Sequence, residues 1–169
     1  MKYLFVLIFI FSQLLAFDIN FKNFSSDFIQ KVYNNNSSIE YKGNFIISQN
    51  KAFWNYIYPN SKQIYINQHE ITIIEPQLEQ VIFTKIQNLP NLQQIFKKAK
   101  KITEETYEAN YENVKYKINF KNNKISNISY TDELQNSVAI YLFNQKIDEK
   151  IDEKKFIPKI PNHYDIVNN

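Results

Sequence analysis

The sequence predicts a mainly β fold, a curved antiparallel sheet or barrel of nine or ten strands with one amphipathic helix inserted. Three observations carry this expectation. Short segments alternate apolar and polar residues at period two, as a strand with one buried face requires. Asn-rich turn tracts separate those segments at close intervals. One middle segment drops period two for a helical repeat.

The chain opens with Met1-Lys2, an apolar run from Tyr3 to Phe11, then Ser12-Gln13-Leu14-Leu15-Ala16, after which it turns polar. A basic start, a short apolar core and a small residue at the end read as a secretory signal cut after Ala16. The apolar stretch is about 15 residues, short of the roughly 20 needed to span a membrane. No Cys follows it, so the protein is not itself a lipoprotein. Removing residues 1–16 of the 169 leaves 153, enough to bury a core as a single domain (17–169).

The first strand is read in "FSSDFIQKV" (24–32), which alternates Phe24, Ser26, Phe28, Gln30 and Val32. "NNNSS" (34–38) is a turn, with Asn supplying the left-handed backbone that glycine usually supplies. "IEYKGNFII" (39–47) puts Ile39, Tyr41, Gly43, Phe45 and Ile47 on one face, and a mid-strand glycine there predicts a bend, a bulge or a close backbone approach. "KAFWNYIYPNSKQIYI" (51–66) places Trp54, Tyr56 and Tyr58 on alternate positions, then Ile64 and Ile66 beyond a Pro-Asn-Ser turn. That bulk presses either on an ordinary core or on the wall of a ligand cavity.

"EITII" (70–74) follows the Asn67-Gln68 turn, and "QLEQVIFTKI" (77–86) follows Glu75-Pro76. In "LPNLQQIFKKAKKI", Leu92, Ile95, Phe96, Ala99 and Ile102 recur at one helical face, with Pro90 acceptable in the first turn. Lys97, Lys98, Lys100 and Lys101 crowd the far end, where the helix dipole favours cations. "NVKYKINF" (113–120) alternates Val114, Tyr116, Ile118 and Phe120 against Lys115, Lys117 and Asn119. The Lys121-Asn122-Asn123-Lys124 turn leads into "ISNISY" (125–130). "SVAIYLF" (137–143) is apolar on both faces, the doubled "IDEK" (147–154) suggests one helical turn bringing Ile147 and Ile151 together, and "FIPKIP" (156–161) closes the series.

Composition excludes much chemistry. The chain has no Cys, one Gly, two His and no Arg. A single glycine rules out phosphate-cradling loops, and a thiol nucleophile is impossible. His69 in "NQHE" and His163 in "PNHYD" have no partner at ligand spacing and read as solvated turn residues. The acids are interspersed with lysine, as on a hydrated face. Neither an enzymatic activity nor a metal is expected. The net charge is +3, falling to +2 once Lys2 leaves with the signal, and the pI near 8.8 reflects a few surplus lysines rather than a nucleic-acid footprint.

Several of these segments, taken in order, resemble the periplasmic outer-membrane lipoprotein carrier family, LolA. "FSSDFIQKV" is similar to the family's opening strand; "YKGNFII" and "FWNYIYP" resemble its glycine, apolar strand and Trp five residues before a Pro. "EPQLEQV" is similar to a further family element, and "FIPKIPNHYDI" to the closing strand, with Pro161 and Asp165. The resemblance implies an incomplete, unclosed antiparallel barrel with a short amphipathic helical lid over an apolar cavity. The cavity would shield the acyl chains of lipoproteins taken from an inner-membrane lipoprotein-releasing ABC transporter and passed to an outer-membrane acceptor. It implies no cofactor and no covalent step, in the periplasm of a Gram-negative bacterium, and a monomer is expected. By position, helix 90–102 corresponds to part of the lid. The residues expected to meet lipid are Phe28, Phe45, Ile47, Trp54, Tyr56, Ile64, Ile66, Leu92, Ile95, Phe96, Tyr116 and Ile118.

Two departures stand out. The family often carries an Arg-Pro between the Gly and Trp strands, and that Arg is thought to latch the lid; here the place reads Ser48-Gln49-Asn50. The latch is therefore absent or rebuilt from weaker neutral hydrogen bonds. The family also starts with a helix, for which only Phe17–Asn23 remain. A periplasmic sensor of lipid or protein on the same sheet is the alternative function, and a small exported hydrolase a third.

Overall fold

The computed structural model describes residues 21–34, 37–85 and 92–168; the signal segment, Phe17–Asn20, the middle of the "NNNSS" turn and Pro90 lie outside them. Twelve strands form one sheet: β1 Asn23–Tyr33, β2 Ser38–Ser48, β3 Lys51–Tyr58, β4 Lys62–Asn67, β5 Glu70–Glu75, β6 Gln80–Lys85, β7 Lys100–Lys101, β8 Thr106–Tyr111, β9 Val114–Lys121, β10 Lys124–Thr131, β11 Ser137–Ile147 and β12 Asp165–Asn168. Their spatial order is β12-β6-β5-β4-β3-β2-β1-β11-β10-β9-β8-β7, so β12 and β7 are free edges and the barrel is unclosed. Two meanders, β1–β6 and β7–β11, are sewn together where β11 pairs with β1. The link between the meanders carries the helix α1, Leu92–Lys98.

Period two sets this architecture. In β1, β2 and β9 the alternate residues Phe24, Phe28, Phe45, Ile47, Tyr116, Ile118 and Phe120 are buried in one core, and α1 adds Ile95 and Phe96 to it. The tight turns fall to residues other than glycine. Gln49, Gln68, Glu112, Asn113, Asn122 and Asn123 all hold positive φ, and no glycine does. Paired left-handed residues at 112–113 and 122–123 match the twist of two-residue hairpins.

Five expectations are corrected. Strand β6 begins at Gln80 rather than 77, because Pro76–Leu78 form a 3-10 turn that ends at left-handed Glu79. The helix stops at Lys98; Lys100 and Lys101 pair with Glu108 and Tyr107, and Ile102, expected on the helical stripe, is exposed at the start of that hairpin. Pairing with β8 overrides a local preference for helix. The first "IDEK" is no helical turn, since Ile147 ends β11 and only Glu153–Phe156 make a 3-10 turn. "FIPKIP" is not a strand. The closing strand is β12, and it lies parallel to β6, so the sheet is not wholly antiparallel. Ile160 and Tyr164, from the segment before β12, instead cover a small second core of Tyr65, Ile74 and Val81 on the outer face, with Phe53 and Phe83.

Candidate functional site

Register decides which side chains share the inner face. Phe28 lies opposite Gly43, which lies opposite Tyr56; Phe45 is opposite Trp54, and Trp54 is opposite Ile64. Because Gly43 has no side chain, the rings of Phe28 and Tyr56, two strands apart, meet above it at 5.2 Å, edge to face. Trp54 packs on Phe45 at 4.6 Å and meets Phe28 at 5.4 Å. Gly43 also sits where the β2–β3 register slips, between Lys42 and Gly43, which is the bulge and close approach its position predicts.

A cavity of about 430 Å³ opens on this face. Trp54 and Tyr56 of β3 form one wall. Val114 and Tyr116 of β9, Ile128 and Tyr130 of β10 and Ile140 of β11 form the other, with Leu92 of α1 between them. In a flat sheet β3 and β9 would stand about 24 Å apart, five strand spacings of roughly 4.8 Å. Their side chains can share one cavity only because the sheet curls around it. The inner face is therefore concave, and Phe45, Ile47, Trp54 and Tyr56 are all on it by register.

The expected lipid-contact residues separate into three groups. Trp54, Tyr56, Leu92 and Tyr116 line the cavity. Phe28, Phe45, Ile47, Ile95, Phe96 and Ile118 are buried in the packed core on the same face and line neither this cavity nor its neighbour. Ile64 lines a neighbouring cavity with Tyr56, while Ile66, opposite Ala52, is half-buried outside both. The sequence reading missed Gln30, Val114, Ile128, Tyr130, Ile140 and Leu134 of the wall, together with the acids Asp132 and Glu133. Gln30 shares the parity of Phe28 and was findable. Ile128 was not, because a register shift between Ile125 and Asn127 reverses the strand's phase. His69 and His163 are both exposed.

Hydrophobic burial makes the tyrosines reluctant acids. Tyr56 and Tyr130 are both pushed up to about 12, chiefly by loss of water and secondarily by neighbouring tyrosines, with Asp132 adding to the effect on Tyr130. Unfolding returns each to about 10. Between those values the unfolded chain binds fewer protons than the folded one, so stability falls as pH rises through that window. We expect cavity-dependent stability to be intact below pH about 10 and lost toward 12, with Tyr56 and Tyr130 among the phenols that titrate late in an ultraviolet pH titration; simultaneous ionisation of all tyrosines near 10 in the folded protein would contradict the burial.

Neutral hydrogen bonds from Gln93 tie the lid to the segment before β1. The Gln93 amide donates to the carbonyls of Phe21 and Lys22, at 3.2 and 3.3 Å. The backbone N–H of Gln49, in the turn where the family has its Arg, donates to the same Lys22 carbonyl at 3.3 Å. Asp148 holds this segment from the other side, accepting from the N–H groups of Lys22 and Asn23 at 2.7 and 3.1 Å, and these bonds lower its pKa. One apolar and one cation–π contact complete the closure: Phe96 meets Phe21 edge to face at 5.7 Å, and the Lys98 ammonium lies 4.8 Å above the Tyr111 ring. Lys97 and Lys98 are exposed, as the helical pattern predicts, and Lys101 is exposed on β7. Neutral hydrogen bonds contribute about 1 kcal/mol net. Gln93→Ala should thus raise opening of the helix about fivefold, read as faster amide exchange over 92–98 with the strands unchanged.

No protein-family model matches the chain. It is 48% identical over 168 residues to the outer-membrane lipoprotein carrier protein of Campylobacter jejuni, covering 99% of both chains. It is 29% identical over 169 residues to the protein of the same name from Helicobacter hepaticus, covering 98% of this chain and 94% of that one. Among solved structures, an uncharacterized conserved protein from Thermus thermophilus superposes with a TM-score of 0.55 at 10% identity, over 88% of this chain and 91% of that one. A LolA superfamily protein from Nitrosomonas europaea does so with a TM-score of 0.53 at 11% identity, over 85% and 94%. At such identities the two structures share the fold.

Proposed function

The chain belongs to the family of outer-membrane lipoprotein carrier proteins, and from that premise we propose how it handles its cargo. It is a periplasmic chaperone that shields the acyl chains of lipoproteins on their way to the outer membrane. Residues 1–16 act as a cleaved export signal and 17–169 as a single carrier domain. The cargo comes from an inner-membrane lipoprotein-releasing ABC transporter and goes to an outer-membrane acceptor, with the carrier working as a monomer and making or breaking no covalent bond.

The observation that carries this reading is the largely apolar cavity between β3, β9–β11 and Leu92. An acyl chain exposed to water costs about 0.8 kcal/mol per CH₂, so a chain of some fifteen needs a shield worth roughly 12 kcal/mol. Aromatic and aliphatic walls supply that without directional bonds, and therefore release the chain to any drier site. The cavity of about 430 Å³, open on one side, lies at the lower end of the roughly 300–1,000 Å³ that accommodates a small ligand. Loading several chains requires α1 to swing away, and acyl chains replace the contacts it loses, which couples opening to loading. Native mass spectrometry of protein taken directly from the periplasm tests the reading. An acylated peptide should be bound. Free lipid alone would favour the sensor, and an empty protein would remove the basis for a carrier.

A further inference from the structure

Beside the apolar cavity lies a second, of about 470 Å³. Its inner end uses Gln30 and Tyr56, which also belong to the first, so the two are contiguous. Its outer end has a different chemistry. Asn60 and Ser61 come from the β3–β4 turn and Lys62 from the start of β4, while Glu75 ends β5 and Gln77 lies in the turn before β6. The Lys62 ammonium is 2.9 Å from the Glu75 carboxylate, which also accepts from the Gln80 amide at 2.6 Å. The two charges neutralise each other, so the cavity attracts no ion. Two carboxamides and a hydroxyl remain as the hydrogen-bonding groups of this outer end.

Val32, Tyr41, Ile64 and Leu78 give the cavity apolar surface as well, but a hydrocarbon tail gains nothing from its polar end. An ester or amide leaving water does, because burial without a hydrogen bond costs such a group about 1–3 kcal/mol. Where the two cavities meet, the Tyr56 O–H donates to Gln30 Oε1 at 3.3 Å, a long neutral bond that is readily exchanged for another acceptor. We propose that the second cavity is a subsite for the polar junction of the cargo, the glyceryl esters and first peptide units, while the acyl chains fill the first. Tyr56 and Gln30 mark the boundary and turn their polar atoms to the ester carbonyls when the bond between them opens. This assignment rests on the carrier reading above.

The test compares two probes on the mature protein: a dipalmitoylglyceryl-cysteinyl peptide, and a pyrene-labelled hexadecane that has neither ester nor peptide. The double variant Asn60→Leu, Gln77→Leu removes two exposed amides without touching the core. We expect its Kd for the lipopeptide to rise about tenfold, equivalent to about 1.4 kcal/mol, and its Kd for the hydrocarbon to stay unchanged, which also certifies the fold. An unchanged lipopeptide affinity, or an equal loss for both probes, overturns the second subsite and leaves the carrier intact. A wild-type protein that binds the hydrocarbon but refuses the lipopeptide overturns the carrier reading and the subsite with it.

Discussion

Gly43→Val should cost at least about 3 kcal/mol and, at the upper end, prevent folding. A side chain at 43 would be driven onto the backbone carbonyl of Asn55 and to within 2.9 Å of Phe28 Cζ. Overpacking against movable side chains costs roughly 1–3 kcal/mol, but a backbone carbonyl in a paired strand cannot step aside without breaking the β2–β3 ladder. The added carbon would also part the Phe28 and Tyr56 rings that meet over the glycine, so the cavity wall would be disturbed together with the fold. Chemical denaturation gives the number. A Gly43→Val protein as stable as wild type would show that β3 can be displaced freely at its bulge.

Phe96→Glu is the second large effect, with Ile95→Glu its companion. Both residues are almost wholly buried, at 3% and 1% exposure. Losing a buried Phe costs about 3–5 kcal/mol, and a carboxylate placed there adds the expense of leaving water. The helix of seven residues has too few other contacts to stay docked, whereas the strands keep their ladders. The expected result is a far-UV spectrum that retains its strand signature, rapid proteolysis at Lys97-Lys98, and no acceptance of acylated peptide. Normal loading by either variant with an unchanged spectrum would sink the lid assignment. The reason differs from the one the helical pattern suggests: Ile95 and Phe96 anchor the lid in the core shared with β8, and only Leu92 of the stripe reaches the cavity.

Much of this molecule was legible in its residues. Strand patterns marked β1 to β5 and β9 to β11: mostly the period-two alternation that a sheet with one dry face imprints strand by strand, and in β11 a run apolar on both faces. The absence of Cys and Arg and the single glycine narrowed the chemistry without any coordinates. The same alternation put Trp54 and Tyr56 on one face, and four segments in order carried the family likeness. A hidden register shift defeated the method at Ile128, and the short strands β7 and β12 left no pattern long enough to detect.

Tertiary structure alone decided which apolar residues fill the core and which leave room. Phe45 and Trp54 face each other in the sheet and are alike to any sequence pattern, yet Phe45 is buried and Trp54 borders the cavity. The difference is made by what lies across the curl of the sheet, on strands some sixty residues away. Local alternation records only that a face is dry. Whether that dryness comes from protein or is left for a ligand depends on how far the two meanders close on each other, and that distance is set by long-range packing rather than by any one strand.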